Sequence, residues 1–213
     1  MKILLSGFDP FGAEAINPAY EAIKALPDEI EGARLIKLRL PTAYRRSFDV
    51  LQAAIEAHRP DVVLSIGQAG GRLAITPEQV AINLAEARIP DNDGDQPIAR
   101  PLQPGGETAY FSSLPVKAMA AAIKAEGLAA EVSYSAGTFV CNAIMYQALY
   151  LAATRYPEMK AGFIHVPFCL EQVAGRPETP AMLLEDITRG LAAAIRAIVR
   201  GDDSLEIVAG SLH

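Results

Sequence analysis

Short apolar runs alternate with longer stretches of helical period along this chain of 213 residues. That alternation restricts the fold more than any other feature. An apolar run of about four to eight residues suits a strand covered on both faces, and a helical stretch beside each one supplies the cover. Residues 3–6, 33–40, 61–66, 130–135 and 162–166 read as strands, and 79–87 alternates with Val80, Ile82 and Leu84 on one side. Asn17 and Pro18 open a helix reaching about residue 26. Tyr44, Phe48, Leu51 and Ile55 share a helical face that Pro60 ends. Further helices are expected at 114–125, at 141–156, and where Leu184, Ile187, Leu191, Ile195 and Ile198 recur. Residues 90–106, rich in Pro, Gly, Asp and Asn, read as an ordered surface loop. The expected fold class is α/β, with a twisted, mostly parallel sheet and helices on both faces.

Composition narrows the functional classes. Hydrophobic residues make up 51%, enough for a core, and residues 1–200 are expected to form one domain. Residues 201–213 read as a flexible tail. The net charge of −6 and the scattered basic residues argue against a nucleic-acid or anionic-membrane partner. Two cysteines cannot build a disulfide framework, which fits a reducing cytoplasm. The apolar run at the N-terminus stops after Leu5, too soon for a signal-peptide core or a membrane span.

Ligands of such sheets sit beyond the carboxyl ends of the strands, here the loops after Ser6, Ile66, Ser135 and Val166. Cys141 falls where the passage after Ser135 becomes a helix, and the free N–H groups of a helix start favour a thiolate and an oxyanion. His165 ends the apolar strand before Pro167. The other two histidines, His58 and His213, sit at a helix end and at the terminus. A thiol beside an imidazole is a nucleophile beside its base. A third group must orient the imidazole, and Glu78 and Glu86 both flank the alternating segment; composition leaves the choice open. Other signals are weaker. Ser133-Tyr134-Ser135-Ala136-Gly137 misses the nucleophile-elbow pattern at its first position, and no phosphate loop occurs. Cys141, His165 and Cys169 lack a metal-binding spacing, so no metal is expected, and Cys169 reads as a packing residue.

Several ordered blocks now coincide. They are 7–12 (Gly7, Phe8, Asp9, Pro10, Phe11, Gly12), Asn17-Pro18, 67–72 from Gly67 to Arg72, Glu78 with 80–83, 87–92, 136–142 around Cys141, and 162–167 around His165. Over about residues 1–200 the chain resembles the pyroglutamyl-peptidase I (pyrrolidone-carboxylate peptidase) family of cysteine peptidases. The resemblance implies a single-domain, three-layer α/β/α fold, often a homotetramer, in the cytosol. It implies removal of an N-terminal pyroglutamyl residue from peptides, through a thioester, without metal or organic cofactor. It further implies that Cys141 is the nucleophile, His165 the base and Glu78 the orienting acid. Phe8, Phe11, Gln68, Phe139 and Val140 would border the ring pocket, and Arg88 would stand near the oxyanion. Two departures are Ala13, where the family often has a second glycine, and Pro77 ahead of Glu78.

Overall fold

The computed structural model describes residues 1–201 and 208–210. In chain order the elements are β1 (Lys2–Phe8), α1 (Pro18–Ala25), β2 (Glu29–Ile30), β3 (Ala33–Leu40), α2 (Tyr44–His58), β4 (Val62–Gln68), β5 (Thr76–Pro77), β6 (Val80–Ile82), β7 (Ala109–Phe111), α3 (Val116–Ala125), α4 (Val140–Thr154), β8 (Lys160–Val166), β9 (Phe168–Cys169), a 3-10 turn (Leu170–Val173), β10 (Ala181–Met182) and α5 (Leu184–Arg200). Among the described residues no helix is long and apolar enough to cross a membrane.

Six strands form the main sheet in the order β2-β3-β1-β4-β8-β5. The four inner strands run parallel, and the short edges β2 and β5 run antiparallel to their neighbours. Alternate residues of each strand enter opposite cores. Ile3, Leu5, Leu64, Ile66 and Ile164 pack with α1, α3 and α5. Leu4, Val63, Ala161 and Phe163 pack with α2 and α4. Covering both faces is why β1, β4 and β8 are mostly apolar, and each fully buried Leu or Ile contributes about 1.5–3 kcal/mol. His165 continues the row of Ala161 and Phe163, and Gly67 the row of Val63, so both face the α2/α4 side.

Local signals set the helix ends. The Asn17 side chain accepts the Ala19 N–H (3.2 Å) and caps α1, with Pro18 in its first turn. Arg59, which ends α2 in a left-handed conformation (φ 46°), is followed by Pro60, which disfavours helix in the residue before it. Gly201 closes α5 at φ 67°. The tail expected at 201–213 falls largely on residues 202–207 and 211–213, which lie outside the described residues. Within its described part, the Ala209 carbonyl accepts a hydrogen bond from Tyr134 Oη (2.8 Å).

Two strand expectations are corrected. Residues 130–135 form no strand; isolated bridges join Ala130 to Ile75 and Ser133 to Glu78. The sheet edge beside β8 is instead β5, whose two residues carry too little pattern to be seen in sequence. The strand expected at 79–87 shrinks to β6, because Asn142 of α4 takes over the main chain beyond it. Its Oδ1 accepts Ile82 N–H (2.9 Å), and its Nδ2 donates to the Ile82 and Leu84 carbonyls (3.0 and 3.1 Å). Finally, β6 pairs with β7 in a small sheet of its own.

Candidate active site

The register of the sheet brings the chemistry together. Parallel pairing sets Gly67 of β4 opposite His165 of β8, and antiparallel pairing sets Thr76 of β5 opposite the same histidine. Glu78 follows two residues later, its N–H donating to the Phe163 carbonyl (2.9 Å), so its side chain lies on the His165 face. Glu78 Oε1 stands 2.6 Å from His165 Nδ1. Glu78 is fully buried and His165 is 4% exposed. Glu86, the other acid that sequence left open, is exposed.

Cys141 is the second residue of α4. A Cβ built on Gly67 would lie 2.7 Å from Cys141 Sγ and 2.7 Å from Phe163 Cζ, so the thiol occupies the space that a side chain at 67 would fill. Cys141 and His165 line the same cavity, although no hydrogen bond joins them among the described residues. No side chain caps α4, and Ala143 N–H is the first to bond within the helix, to the Phe139 carbonyl (3.1 Å). The N–H groups of Val140, Cys141 and Asn142 are therefore without helical acceptors at the mouth of the site.

Arg72, which no sequence pattern flagged as functional, completes the cluster. Its Nη1 donates to Glu78 Oε1 (2.7 Å) and to Thr76 Oγ1, and its Nη2 donates to the Ser135 carbonyl (3.1 Å). Its partners Thr76, Glu78 and Ser135 meet it only through the tertiary fold, which leaves no local mark in the sequence. Glu78 Oε2 is buried without a hydrogen-bond partner among the described residues, so Oε1 carries both contacts.

Burial would raise the Glu78 carboxyl, but its hydrogen bond and charge interaction with His165, helped by Arg72, hold it below the usual carboxylate range. Burial pushes His165 down, against the pull of Glu78. Burial likewise pushes the Cys141 thiol up to about 12; Glu78 adds to this and Arg72 opposes it. Desolvation thus opposes the thiolate that the helix start favours. Beside an ionised Glu78, Nδ1 of the neutral ring carries the proton and Nε2 is left as an acceptor.

A pH dependence follows from the two lowered groups. An unfolded histidine titrates near about 6.5, and the native one lower, so in between only the unfolded chain binds the proton. Stability contributed by neutral His165 is lost as pH falls from about 6.5 toward its native value, at about 1.4 kcal/mol per unit of difference. The Glu78 contribution, present above about 4.3, is lost further down as pH falls through its own lowered native value. Urea midpoints measured between about pH 7.5 and 5.5 are expected to fall, and His165→Gln is expected to flatten that fall. A midpoint independent of pH across this range in the parent protein would contradict the assignment.

The cavity is small, about 130 Å³, against the roughly 300–1,000 Å³ usual for drug-sized ligands. Phe8, Phe11, Gln68 and Phe139 line it, together with Cys141 and His165. Phe11 and Phe139 lie with ring centroids 6.1 Å apart, and Tyr44 meets Phe139 edge-on at 5.5 Å. Asn17, Thr42 and Thr138 also line it, which sequence reasoning missed; they sit in loops without a chemical signature. Two expected residues stand elsewhere. Val140 is fully buried in the α2/α4 core beneath the cavity. Arg88 is exposed and is absent from the cavity wall, so the arginine beside the buried acid is Arg72. Cys169 is fully buried outside the cavity, as a packing residue would be. Ser135 is exposed, its Oγ accepting the Gly137 N–H (3.2 Å), and belongs to a different groove.

Comparison with known proteins identifies relatives of the same kind throughout. The family model described as pyroglutamyl peptidase matches residues 1–201. A pyrrolidone-carboxylate peptidase of Streptococcus pyogenes serotype M4 is 59% identical over 215 aligned positions, covering 100% of both chains. One from Lactobacillus johnsonii is 55% identical with the same coverage. The crystal structure of pyroglutamyl peptidase I from Bacillus amyloliquefaciens superposes with a TM-score of 0.93 at 45% identity, covering 97% of this chain and 98% of that one. Pyrrolidone carboxyl peptidase from Thermococcus litoralis gives a TM-score of 0.93 at 33% identity, again over 97% and 98%.

Proposed function

From the premise that this chain belongs to the pyroglutamyl peptidase family, we propose that Cys141, His165 and Glu78 are its catalytic triad and that hydrolysis runs through a thioester. The observation that carries this reading is one cavity walled by Cys141 and His165, with Glu78 Oε1 2.6 Å from His165 Nδ1. The substrate is a peptide with an N-terminal pyroglutamyl residue. That residue is a compact neutral lactam without a free α-amine. It calls for apolar walls and a few amide-directed polar groups, with no carboxylate to pair an ammonium. Phe8, Phe11 and Phe139 supply such walls, and Gln68 a polar group.

In the first half-reaction, His165 Nε2 takes the proton of Cys141 as Sγ attacks the carbonyl joining pyroglutamate to the next residue. Transfer of the thiol proton to His165 separates charge. The imidazolium then forms against ionised Glu78, and the oxyanion forms near the free N–H groups at the start of α4. The carbon–nitrogen bond breaks as His165 returns the proton to the leaving amine, which departs as the shortened peptide. In the second half-reaction His165 deprotonates water, which attacks the thioester; pyroglutamate leaves and the thiol is restored.

The test is release of a fluorescent amine from a pyroglutamyl amide under reducing conditions, with the prolyl amide as control. Release from the first and not the second is expected, since proline lacks the lactam carbonyl and leaves the pocket's polar groups unpaired. No release by folded protein would sink the reading. Glu78→Gln is expected to lower kcat by about 10²–10⁴-fold, because a neutral amide neither fixes the Nδ1–H tautomer nor stabilises the imidazolium. KM should change much less, since Glu78 does not line the cavity. An unchanged kcat would remove Glu78 from the mechanism.

A further inference from the structure

Gln68 can present either end of its amide to the cavity, and the pocket's chemistry depends on which. A lactam carbonyl needs a donor; an amide oxygen turned toward it would repel it. The neighbouring Gln172, on the 3-10 turn, decides the matter through main-chain groups whose roles cannot change. Gln172 Oε1 accepts the Cys169 main-chain N–H (3.1 Å), and Nε2 donates to the Ile16 main-chain carbonyl (3.2 Å). An N–H only donates and a carbonyl only accepts, so the Gln172 amide has one permitted orientation. The two Nε2 hydrogens are shared among the Ile16 carbonyl, Glu14 Oε2 (3.0 Å) and Gln68 (2.8 Å), all of which face it as acceptors. The Gln68 atom facing it must therefore accept, which makes it Oε1 and turns the Gln68 NH₂ group away.

That NH₂ group has no partner among the described residues, yet it is not among the buried side-chain atoms that lack one, which are Glu78 Oε2 and Tyr156 Oη. It therefore keeps an opening, and the cavity shared with Cys141 and His165 is where Gln68 meets open space. Arg176 holds the arrangement from behind, pairing with Glu14 Oε1 (2.9 Å) and donating to the Gln172 carbonyl.

We propose that Gln172 is a specificity-positioning residue. It fixes the Gln68 amide so that the cavity offers an N–H donor to the lactam carbonyl of the substrate. The inference rests on the pyroglutamyl reading of this cavity and extends it to a residue outside the wall. Gln172 touches no reacting atom, so its effect is confined to binding of the ring.

The experiment compares 2-pyrrolidone with its thiolactam, 2-thiopyrrolidone, as competitive inhibitors of pyroglutamyl-amide hydrolysis. The two share a shape, but sulfur is the weaker acceptor. The wild type should prefer the lactam by about tenfold, the scale of one hydrogen bond. Gln172→Met frees the Gln68 amide to turn. It should raise KM for the pyroglutamyl amide by about tenfold, leave kcat within about twofold, and erase the lactam preference. Damage to cavity shape would instead weaken both inhibitors alike. Equal inhibition of the wild type by the two compounds overturns the proposal whether or not the variant folds. So does a folded Gln172→Met protein that keeps its KM and its preference. Both results leave the family reading standing as long as the wild type cleaves the amide; only absence of that cleavage removes the reading itself.

Discussion

Replacing Cys141 by alanine is expected to reduce pyroglutamyl-amide hydrolysis by about 10⁴-fold or more while the protein stays folded. The size follows from the role: without Sγ no covalent bond to the acyl group forms, and the remaining groups can only position water. The fold should survive because alanine keeps the Cβ and the helix start. Cys141 is only half-buried, and its Sγ fills space beside a glycine rather than supporting a larger side chain. Unfolding in urea should therefore shift by no more than about 1 kcal/mol. Amine release and the urea midpoint, measured on one preparation, separate the two effects. Activity near that of the wild type would require another nucleophile. Ser135 is a poor one, lying exposed outside the cavity that holds His165.

How much of this could be read from the chain depends on where the physical signal resides. The inner strands β1, β4 and β8 are buried on both faces, so their burial is written as mostly apolar runs, whereas β3 carries Arg34, Lys37 and Arg39 among its apolar residues. The helix α5 packs one stripe against α1 and α3, so its period shows too. Both Cys141 and His165 are legible as chemistry near expected strand ends, but the contact that brings them together is not. Residues 130–135 are not a strand adjoining β8; the two residues meet because α4 packs on the His165 face of β8, beside Gly67. Glu78 and Glu86 look alike in sequence, and only the β5–β8 register buries one and exposes the other. Arg72 and Gln172 act through partners distant in the chain, such as Ser135 and Gln68, so no local pattern marks them.

Gly67→Ala is expected to reduce kcat by about 10²-fold or more, because the position is a steric template for the nucleophile. The backbone of Gly67 is not in the left-handed region, so an alanine there suffers no conformational strain. The conflict is one of space: the new methyl would stand 2.7 Å from Cys141 Sγ and 2.7 Å from the tip of the Phe163 ring. Relief must come from turning the thiol, moving the ring, or lifting α4 from the sheet. The first displaces the attacking atom. The second disturbs His165, whose ring centroid is 4.8 Å from that of Phe163. The third carries Cys141 and the free N–H groups away together. Displacement of about 1 Å at a reacting atom is enough for a loss of this size. Overpacking should also cost about 1–3 kcal/mol of stability, which alone would not stop turnover in a folded protein. Gly162→Ala provides the comparison. It sits on β8, on the opposite face of the sheet, where its methyl would meet Leu114 Cδ1 at 2.7 Å and Ser112 Oγ at 2.7 Å. The intrusion is of similar depth but far from the thiol, so stability should fall comparably while kcat is retained. Steady-state kinetics beside urea unfolding for both variants decide the question. If Gly67→Ala keeps its kcat, or if both variants lose it alike, Gly67 does not act by shaping the place of the thiol.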